Sequence, residues 1–500
     1  MSMRTSMWLS QHRPTFPVLT GDLDVDVAVV GGGWVGLHAA FLAQRGGVRV
    51  AVFEAADVGS GTTGFSTAKL TTQHGLIYAD LVDRHGAEAA AQYAEANTAG
   101  VELVVRLVGE LGIDCDLTTA SAYAYTLDPA RRLDLEREVE AAQHLGLPAT
   151  LEDSAGLPFD VEAAVCFAGQ YHLDPVRYLD GLARALVGAG GAIYEHTRIT
   201  GIEELRDQTV TLTTEHGSEH GTGHGTDHET GQGTVRANQV IVATLLPIGT
   251  LGGYFAKTRP VGAYGAAVRL RGPAPAPMTI QVDPSSWSTR PWPAAGPGGL
   301  LVIGNGHEVG SNPSGAAGGT NGGADSGDRQ AQLDEWARSR FEVESVEHRW
   351  FAHDYATPDQ IPYVGLSSAH RSVMVATGFR KWGLSNGAAA AIMLSDLLAG
   401  RDHGWAEPFD ATRIGDAHAV SKLITDNMKV GKEFLTGRIG NDNPTCTHLG
   451  CPLHWNNADS SWDCNCHGSR FTADGAVLTG PAVKPLETPG QPYAKQAGGD

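Results

Sequence analysis

Two short motifs near the C-terminal end of this 500-residue chain bring four metal-ligating side chains close together: Cys446-x-His448 and Cys464-x-x-His467. Two thiolates and two neutral imidazoles can hold a tetrahedral zinc ion. They can equally hold a [2Fe–2S] cluster, with both thiolates on one iron and both imidazoles on the other. A second set lies near the N-terminal end, where Gly31, Gly33 and Gly36 form G-x-G-x-x-G and Glu54 follows. Gly31 allows a tight turn, Gly33 lets a pyrophosphate approach the backbone, and Gly36 lets a helix pack against a sheet. Glu54 stands at the distance where a carboxylate accepts hydrogen bonds from an adenosine ribose. The chemistry implied is dinucleotide binding at one end and metal redox or structural metal at the other.

These residues need elements to position them. Val25 to Val30 has the pattern of a buried strand, a helix pattern runs to about Arg45, and Val48 to Phe53 is a second strand ending in Glu54. The helix N-terminus would offer free N–H groups to the phosphates. The loop beyond is rich in glycine and threonine and can wrap a cofactor, with Thr62, Thr63, Ser66 and Lys69 as candidate contacts. An ordinary polar surface loop has the same composition. Far down the chain the logic repeats. Ser372 to Ala376 reads as a strand, a glycine-rich turn begins at Gly378, and an alanine-rich helix continues to Leu398.

Between these units the pattern predicts a helix from Ala79 to Leu111, a strand from Ala122 to Thr126 and a helix from Pro129 to Leu145. Asp174 and Pro175 open another helix, to about Val187. Gln239 to Ala243 is a buried strand, and residues 256–303 alternate like sheet strands interrupted by proline. Asp354 to Gly365 reads as irregular. The histidines at 216, 220, 224 and 228 lie in a glycine-rich tract that we read as a disordered hairpin tip rather than a metal site. Residues 1–23 read as a leader anchored by Trp8 and Phe16.

The chain has 36 Lys plus Arg, 56 Asp plus Glu, and a net charge of −20, which argues against nucleic acid and anionic membrane as partners. We find no membrane-spanning apolar run and no signal-peptide h-region, so the expected compartment is the cytoplasm. Cys115 and Cys166 are isolated and expected to be small buried hydrophobes. The four cysteines from Cys446 to Cys466 suggest metal before structural disulfides in a cytosolic protein.

The G-x-G-x-x-G unit with Glu54, the loop G-T-T-G-F-S-T-A-K-L-T-T-Q-H-G-L-I-Y, the strand V-I-V-A-T and the closing D-Y-A-T-P-D-Q-I-P-Y-V-G and G-F-R-K-W-G-L-S-N-G together resemble the D-amino-acid oxidase superfamily, which includes glycine and sarcosine oxidases. More narrowly they resemble its bacterial members with a C-terminal Rieske domain. The resemblance implies an α/β (α+β) fold. A discontinuous Rossmann-like FAD-binding domain (about 20–80, 165–250 and 345–405) would interleave with an antiparallel-sheet substrate domain (about 81–164 and 251–344). A helical linker at 406–434 and a small β Rieske-type domain at 435–500 would follow. It implies noncovalent FAD, with Thr244, Gly378, Lys381, Gly383 and Leu384 added to its contacts, the turn lying by the pyrimidine end of the ring. Lys381 would tune the flavin or its oxygen reactivity; a solvent-facing lysine is the plain alternative. The implied reaction is oxidation of a C–N bond in an amine or amino-acid-like substrate by hydride transfer to flavin. The family's substrate-binding arginine and tyrosine are not identifiable, although Arg259, Tyr264 and Arg269 lie in the right region.

The second resemblance is to Rieske proteins, and it favours the [2Fe–2S] cluster over zinc. Cys451 and Cys466 match the pair that forms a disulfide between the cluster loops in respiratory Rieske proteins, while cytosolic reduction would leave them as thiols. Gly480-Pro481-Ala482 matches the loop covering the cluster. Ser469 would donate to a bridging sulfide. Phe471 stands where high-potential relatives carry tyrosine, so a redox titration should give a lower midpoint than theirs. Few strands can precede Cys446, so the domain reads as truncated, its platform to be supplied by the FAD domain or another subunit. Electrons would pass through the cluster to or from a redox partner protein, or oxygen would accept them from the flavin. The alternative is a flavin/iron–sulfur electron-transfer or redox-sensing protein with no small amine substrate.

Overall fold

The computed structural model describes residues 6–11, 13–215, 233–284, 286–309, 326–368, 370–414, 427 and 443–487. The histidine-rich tract, most of the linker and residues 435–442 lie outside the described residues. The described residues form three sheets.

The first sheet has the order Tyr363–Leu366, Val373–Thr377, Thr234–Val242, Leu23–Val30, Val50–Phe53, Ala192–Tyr194, with Ile199–Glu204 and Val210–Thr214 attached beside Thr234–Val242. Its central pairs are parallel. The interior strands are near-continuous runs of Val, Ile and Ala, as expected for strands buried on both faces. Helix Trp34–Arg45 and helix Gly383–Leu398 pack together on one side; Trp34 Nε1 donates to Leu384 O at 2.8 Å. The long helix Tyr78–Leu111 packs closely on the second of these. A Cβ on Gly100 would collide with the carbonyl of Ser385.

The second sheet has the order Val343–Ala356, Arg259–Leu270, Gly299–Glu308, Ser288–Pro291, Met278–Gln281, Thr118–Thr126, Ala163–His172, Lys69–Leu70, with Ala149–Glu152 beside Ala163–His172. It is antiparallel except where Met278–Gln281 runs parallel to Thr118–Thr126. Two of its strands differ from the sequence reading. Asp354 is not in irregular chain but near the end of strand Val343–Ala356, and Gln170 lies inside strand Ala163–His172, which ends before the helix begins. That helix, Pro175–Gly188, starts where expected, with the Asp174 carboxylate accepting from the N–H groups of Val176 and Arg177. Val343–Ala356 pairs along Arg259–Leu270, so this strand belongs to the second sheet. In the leader, Trp8 is buried and its Nε1 donates to Ser66 O, while Phe16 is partly buried against the core. Cys115 and Cys166 are buried.

One buried acid makes the fold pH-sensitive. The long helix has no side-chain cap of its own; the Glu138 carboxylate, fully buried, accepts from Tyr78 N and Ala79 N. Burial pushes its pKa up to about 7, against the pull of those N–H groups. A carboxyl raised in the fold from about 4.3 in the unfolded chain stabilises fully below the unfolded value, and this contribution fades as pH rises through 7. Wild type should therefore lose on the order of 3 kcal/mol from this group between pH 4 and 8. Glu138→Gln should flatten the thermal midpoint across that window; an unchanged pH slope would refute the assignment.

Candidate flavin cavity and iron–sulfur centre

A cavity of about 690 Å³ lies between the first two sheets, within the range of cofactor and ligand sites of ~300–1,000 Å³. Gly31, Gly33, Glu54, Thr62, Thr63, Ser66, Lys69, Thr244, Lys381, Gly383 and Leu384 all line it. Gly36 and Gly378 are not on the wall and act through packing. A Cβ on Gly36 would run into the Gly31 carbonyl, and one on Gly378, whose φ is +86°, into Thr357. Gly31, with φ +108°, lets its own turn pass the Ala243 carbonyl.

The polar groups on the wall are already oriented. Glu54 Oε2 accepts from Gly32 N at 2.7 Å and Oε1 from Ala56 N at 3.0 Å, leaving further lone pairs for a sugar hydroxyl. The Thr63 hydroxyl accepts from Trp34 N at 3.2 Å, so it caps the first helix. Thr62 donates to His353 O, Ser66 accepts from Ala68 N, and Thr244 donates to Leu246 O. Helices Trp34–Arg45 and Gly383–Leu398 both begin at the cavity, and neither is capped by the side chain of its own N-cap residue. Two positive helix ends therefore face one space.

Several basic groups close the other side. Lys69 Nζ donates to Thr279 O and Ser288 Oγ, and burial, then Arg290, pushes its pKa down to about 7. Lys381 is accessible, but its surface opens into the cavity; its N–H donates to Asp354 Oδ2 and its ammonium lies beside Gly306. The surrounding protein still depresses its pKa, with Asp354 opposing. Burial lifts the Asp354 carboxyl to about 6. Sequence reading missed Arg380 and Asp354. Arg380 Nη1 and Arg259 Nε are buried donors without a partner, and Gln281 Oε1 is a buried acceptor without one. All three residues line the cavity. Such groups need a bound molecule or water, so the wall fits a polar cofactor and a polar substrate. Arg259 also pairs with Glu308 at 3.4 Å. Tyr264 is buried away from this wall against His307, and Arg269 pairs with Glu347 at the surface.

The third sheet is a four-stranded meander, Leu453–Asn456, Ser461–Cys464, Arg470–Thr472, Val477–Thr479. Its loops bring Cys446, His448, Cys464 and His467 together. The Cys446 and Cys464 sulfurs are in hydrogen-bonding contact, and the two imidazole centroids lie 5.1 Å apart. Each sulfur receives backbone N–H groups, from His448 and Leu449 on Cys446 and from Cys466 and His467 on Cys464. Cys451, Cys464 and Cys466 also have sulfurs within 4.8 Å of one another. Cys451 and Cys466 are joined in a disulfide, however, so neither offers a thiolate.

The imidazoles decide the fit. His448 Nε2 lies 3.0 Å from Gly249 O, so it must carry the proton, which leaves a lone pair on Nδ1. Nδ1 of both His448 and His467 is buried without a partner. Burial lowers both pKa values, with His448 adding to the effect on His467, which falls to about 4, so both rings are neutral, the form a metal requires of a ligand. Two thiols and two orphaned nitrogens fit a Cys2His2-bound metal group. Ser469 contacts Cys446, and its hydroxyl accepts from Ala482 N at 3.0 Å. Phe471 is fully buried and brings no hydroxyl.

The FAD side supplies the platform. Gly249 N donates to Pro481 O at 2.9 Å while its carbonyl meets His448, Arg198 donates to Val477 O, and Phe255 sets its ring edge-to-face with both imidazoles. Inside the head, Arg470 pairs with Asp459 and Asp463 and stacks on Phe351 at 4.5 Å.

A dinucleotide cavity between a parallel and a largely antiparallel sheet, beside a small domain with a Cys2His2 site, defines a flavoprotein oxidoreductase with an iron–sulfur head. The chain belongs to the FAD dependent oxidoreductase (DAO) family, whose model matches residues 26–397, and residues 412–490 match the Rieske [2Fe-2S] domain. Its cofactors are thus FAD and a [2Fe–2S] cluster. It is 29% identical over 515 residues to the Rieske 2Fe-2S iron-sulfur protein YhfW of Bacillus subtilis (strain 168), with 96% of each chain covered. Among solved structures it is similar to glycine oxidase from Geobacillus kaustophilus, with TM-score 0.61, 20% identity, and 78% of this chain and 99% of that chain covered. The L-proline dehydrogenase from P. horikoshii gives TM-score 0.60 at 17% identity, covering 80% and 98%. At these identities the structures speak for the fold alone. Among the described residues no helix is long and apolar enough to cross a membrane.

Proposed function

We propose that the protein oxidises a C–N bond in an amine or amino-acid-like small molecule and passes the electrons through its Rieske head to a redox partner. The observation that carries this reading is the set of unpartnered buried donors, Arg380 Nη1 and Arg259 Nε, on the wall of the cavity that holds the glycine turns. They suit an anionic or hydrogen-bond-accepting group on the substrate. Relatives of the same fold named as glycine oxidase and proline dehydrogenase support the substrate class.

When bound, the flavin would accept a hydride from carbon and the cluster would pass electrons singly. In our assignment Gly31, Gly33 and Gly36 with Glu54 hold the adenosine and pyrophosphate end. Thr62, Thr63, Ser66, Lys69 and Thr244 shape the middle, and Gly378, Lys381, Gly383 and Leu384 hold the pyrimidine end. Lys381 and the N-terminus of helix Gly383–Leu398 would stabilise negative charge there. Cys446, His448, Cys464 and His467 are assigned as cluster ligands. The domain division follows the three sheets.

Anaerobic mixing with a panel of primary and secondary amines and amino acids tests the reading. One class should bleach the flavin absorbance. If none bleaches it but a reduced one-electron carrier does, the chain is an electron-transfer or sensing protein instead.

A further inference from the structure

Strand Val343–Ala356 stands between the two redox sites. From Trp350 onward its side chains alternate between them, although His353 also lines the flavin cavity, where its carbonyl accepts from Thr62. Trp350 Nε1 donates to Phe65 O, and Ala352, Asp354 and Ala356 line the flavin cavity. Phe351 lies under Arg470 of the head, His353 lies beside Gly468, and the Tyr355 hydroxyl is 2.9 Å from His467 O and 3.3 Å from Gly480 O. With one proton, that hydroxyl donates to the nearer carbonyl. At its other end Tyr355 is tied to the flavin turn, because its backbone carbonyl accepts from Arg380 N at 2.9 Å and Ala356 forms a β-bridge with Phe379. A single residue thus links the turn at the flavin to the backbone of a cluster ligand through two hydrogen bonds.

The fit around it is tight. A Cβ on Gly468 would come within 2.6 Å of Tyr355 Oη and of Pro260 Cβ, and within 3.0 Å of His353 Nε2. Tyr355 and His353 are buried, and their rings lie 5.0 Å apart. With Gly249 and Phe255 gripping the imidazole edge as well, the head is held in one position against the cavity wall.

We propose that Tyr355 is the positioning residue for electron exchange between flavin and cluster, and that exchange takes place in this docked arrangement, without a swing of the head. This rests on the relay reading above. Each passage moves one electron: reduced flavin is oxidised by one electron and one ferric iron becomes ferrous. A one-electron carrier protein must take that electron before the second follows, and the protons leave to water.

The experiment uses the full-length holoprotein without oxygen and borohydride, a hydride donor that reduces the flavin. Flavin bleaching is followed optically and the reduced cluster by freeze-quench EPR. In Tyr355→Phe the bleaching rate and the cluster line shape should match wild type. The cluster signal should rise about tenfold more slowly, the weight of one lost hydrogen bond. A signal that keeps wild-type timing overturns the role of Tyr355 while leaving the relay intact. A wild-type cluster that stays oxidised behind a fully bleached flavin removes the relay itself, and this proposal with it. If the variant loses its cluster, wild type decides in glycerol. A rise independent of viscosity supports docked exchange, and a rise slowed in proportion to viscosity overturns it.

Discussion

Gly36→Ala should yield a folded but colourless protein. The helix Trp34–Arg45 is buried along most of its length, and its first turn crosses the Gly31 turn with no gap. An added methyl would strike the Gly31 carbonyl and approach Val29 Cγ1 at 3.2 Å. Neither neighbour can yield, since Gly31 N is bonded to Phe53 O and Val29 sits inside the parallel sheet. The helix must move outward, taking its N–H groups from the position we propose for the pyrophosphate. Overpacking of this kind costs about 1–3 kcal/mol, and each 1.4 kcal/mol of lost binding energy is about tenfold in affinity. We expect flavin binding to fall about a hundredfold, read as the flavin-to-protein ratio after gel filtration. Gly109→Ala is the control. It lies inside helix Tyr78–Leu111 with nothing within 4 Å of the added carbon, and should keep its flavin. A yellow Gly36→Ala protein at full occupancy would place the nucleotide elsewhere.

Cys464→Ser should remove the cluster and spare the flavin. Cys464 is fully buried, its sulfur meets Cys446 and two backbone N–H groups, and no other free thiol is near enough to replace it while Cys451 and Cys466 are paired. Iron, acid-labile sulfide and the reduced-cluster EPR signal should all fall to background. The flavin should stay at wild-type occupancy, because Cys464 lies across strand Val343–Ala356 from the cavity. Metal analysis of wild type is the companion measurement. One zinc per chain with neither iron nor sulfide would overturn the cluster assignment, since zinc accepts the same ligands.

What could be read in advance was local. The glycine turn, its flanking strands and Glu54 lie within one short stretch, and each cluster motif fits in a few residues, so spacing was enough to pick them out, while FAD and the choice of an iron–sulfur cluster over zinc came from family resemblance. The Asp174–Pro175 helix start was legible for the same reason. Strand Val343–Ala356 was not. Covered on both faces from Trp350 onward, its second half lacks the alternation of apolar and polar residues that marks a half-exposed strand, and its buried positions include Asp354 and His353. The neighbouring prolines at 358 and 362 strengthened the irregular reading. Arg380 was invisible as a cavity donor, and Arg259 could be placed only in the right region, because a lone arginine in sequence does not reveal whether it has an acid nearby. The platform under the head was out of reach too. It is built from Gly249, Phe255 and Tyr355, and contacts over such separations leave no trace in a single sequence.

The same strand makes the molecule unusually sensitive to one kind of lesion. From Trp350 to Ala356 its ladder with Arg259–Gly265 runs without a bulge, so parity along the backbone decides which chamber each side chain enters. Deleting one codon just upstream would turn the segment over. Phenylalanine and tyrosine would rotate into the nucleotide's space, and aspartate would rotate towards the iron. Substitutions there can injure one prosthetic group at a time, whereas a frame-preserving deletion of one residue would evict both.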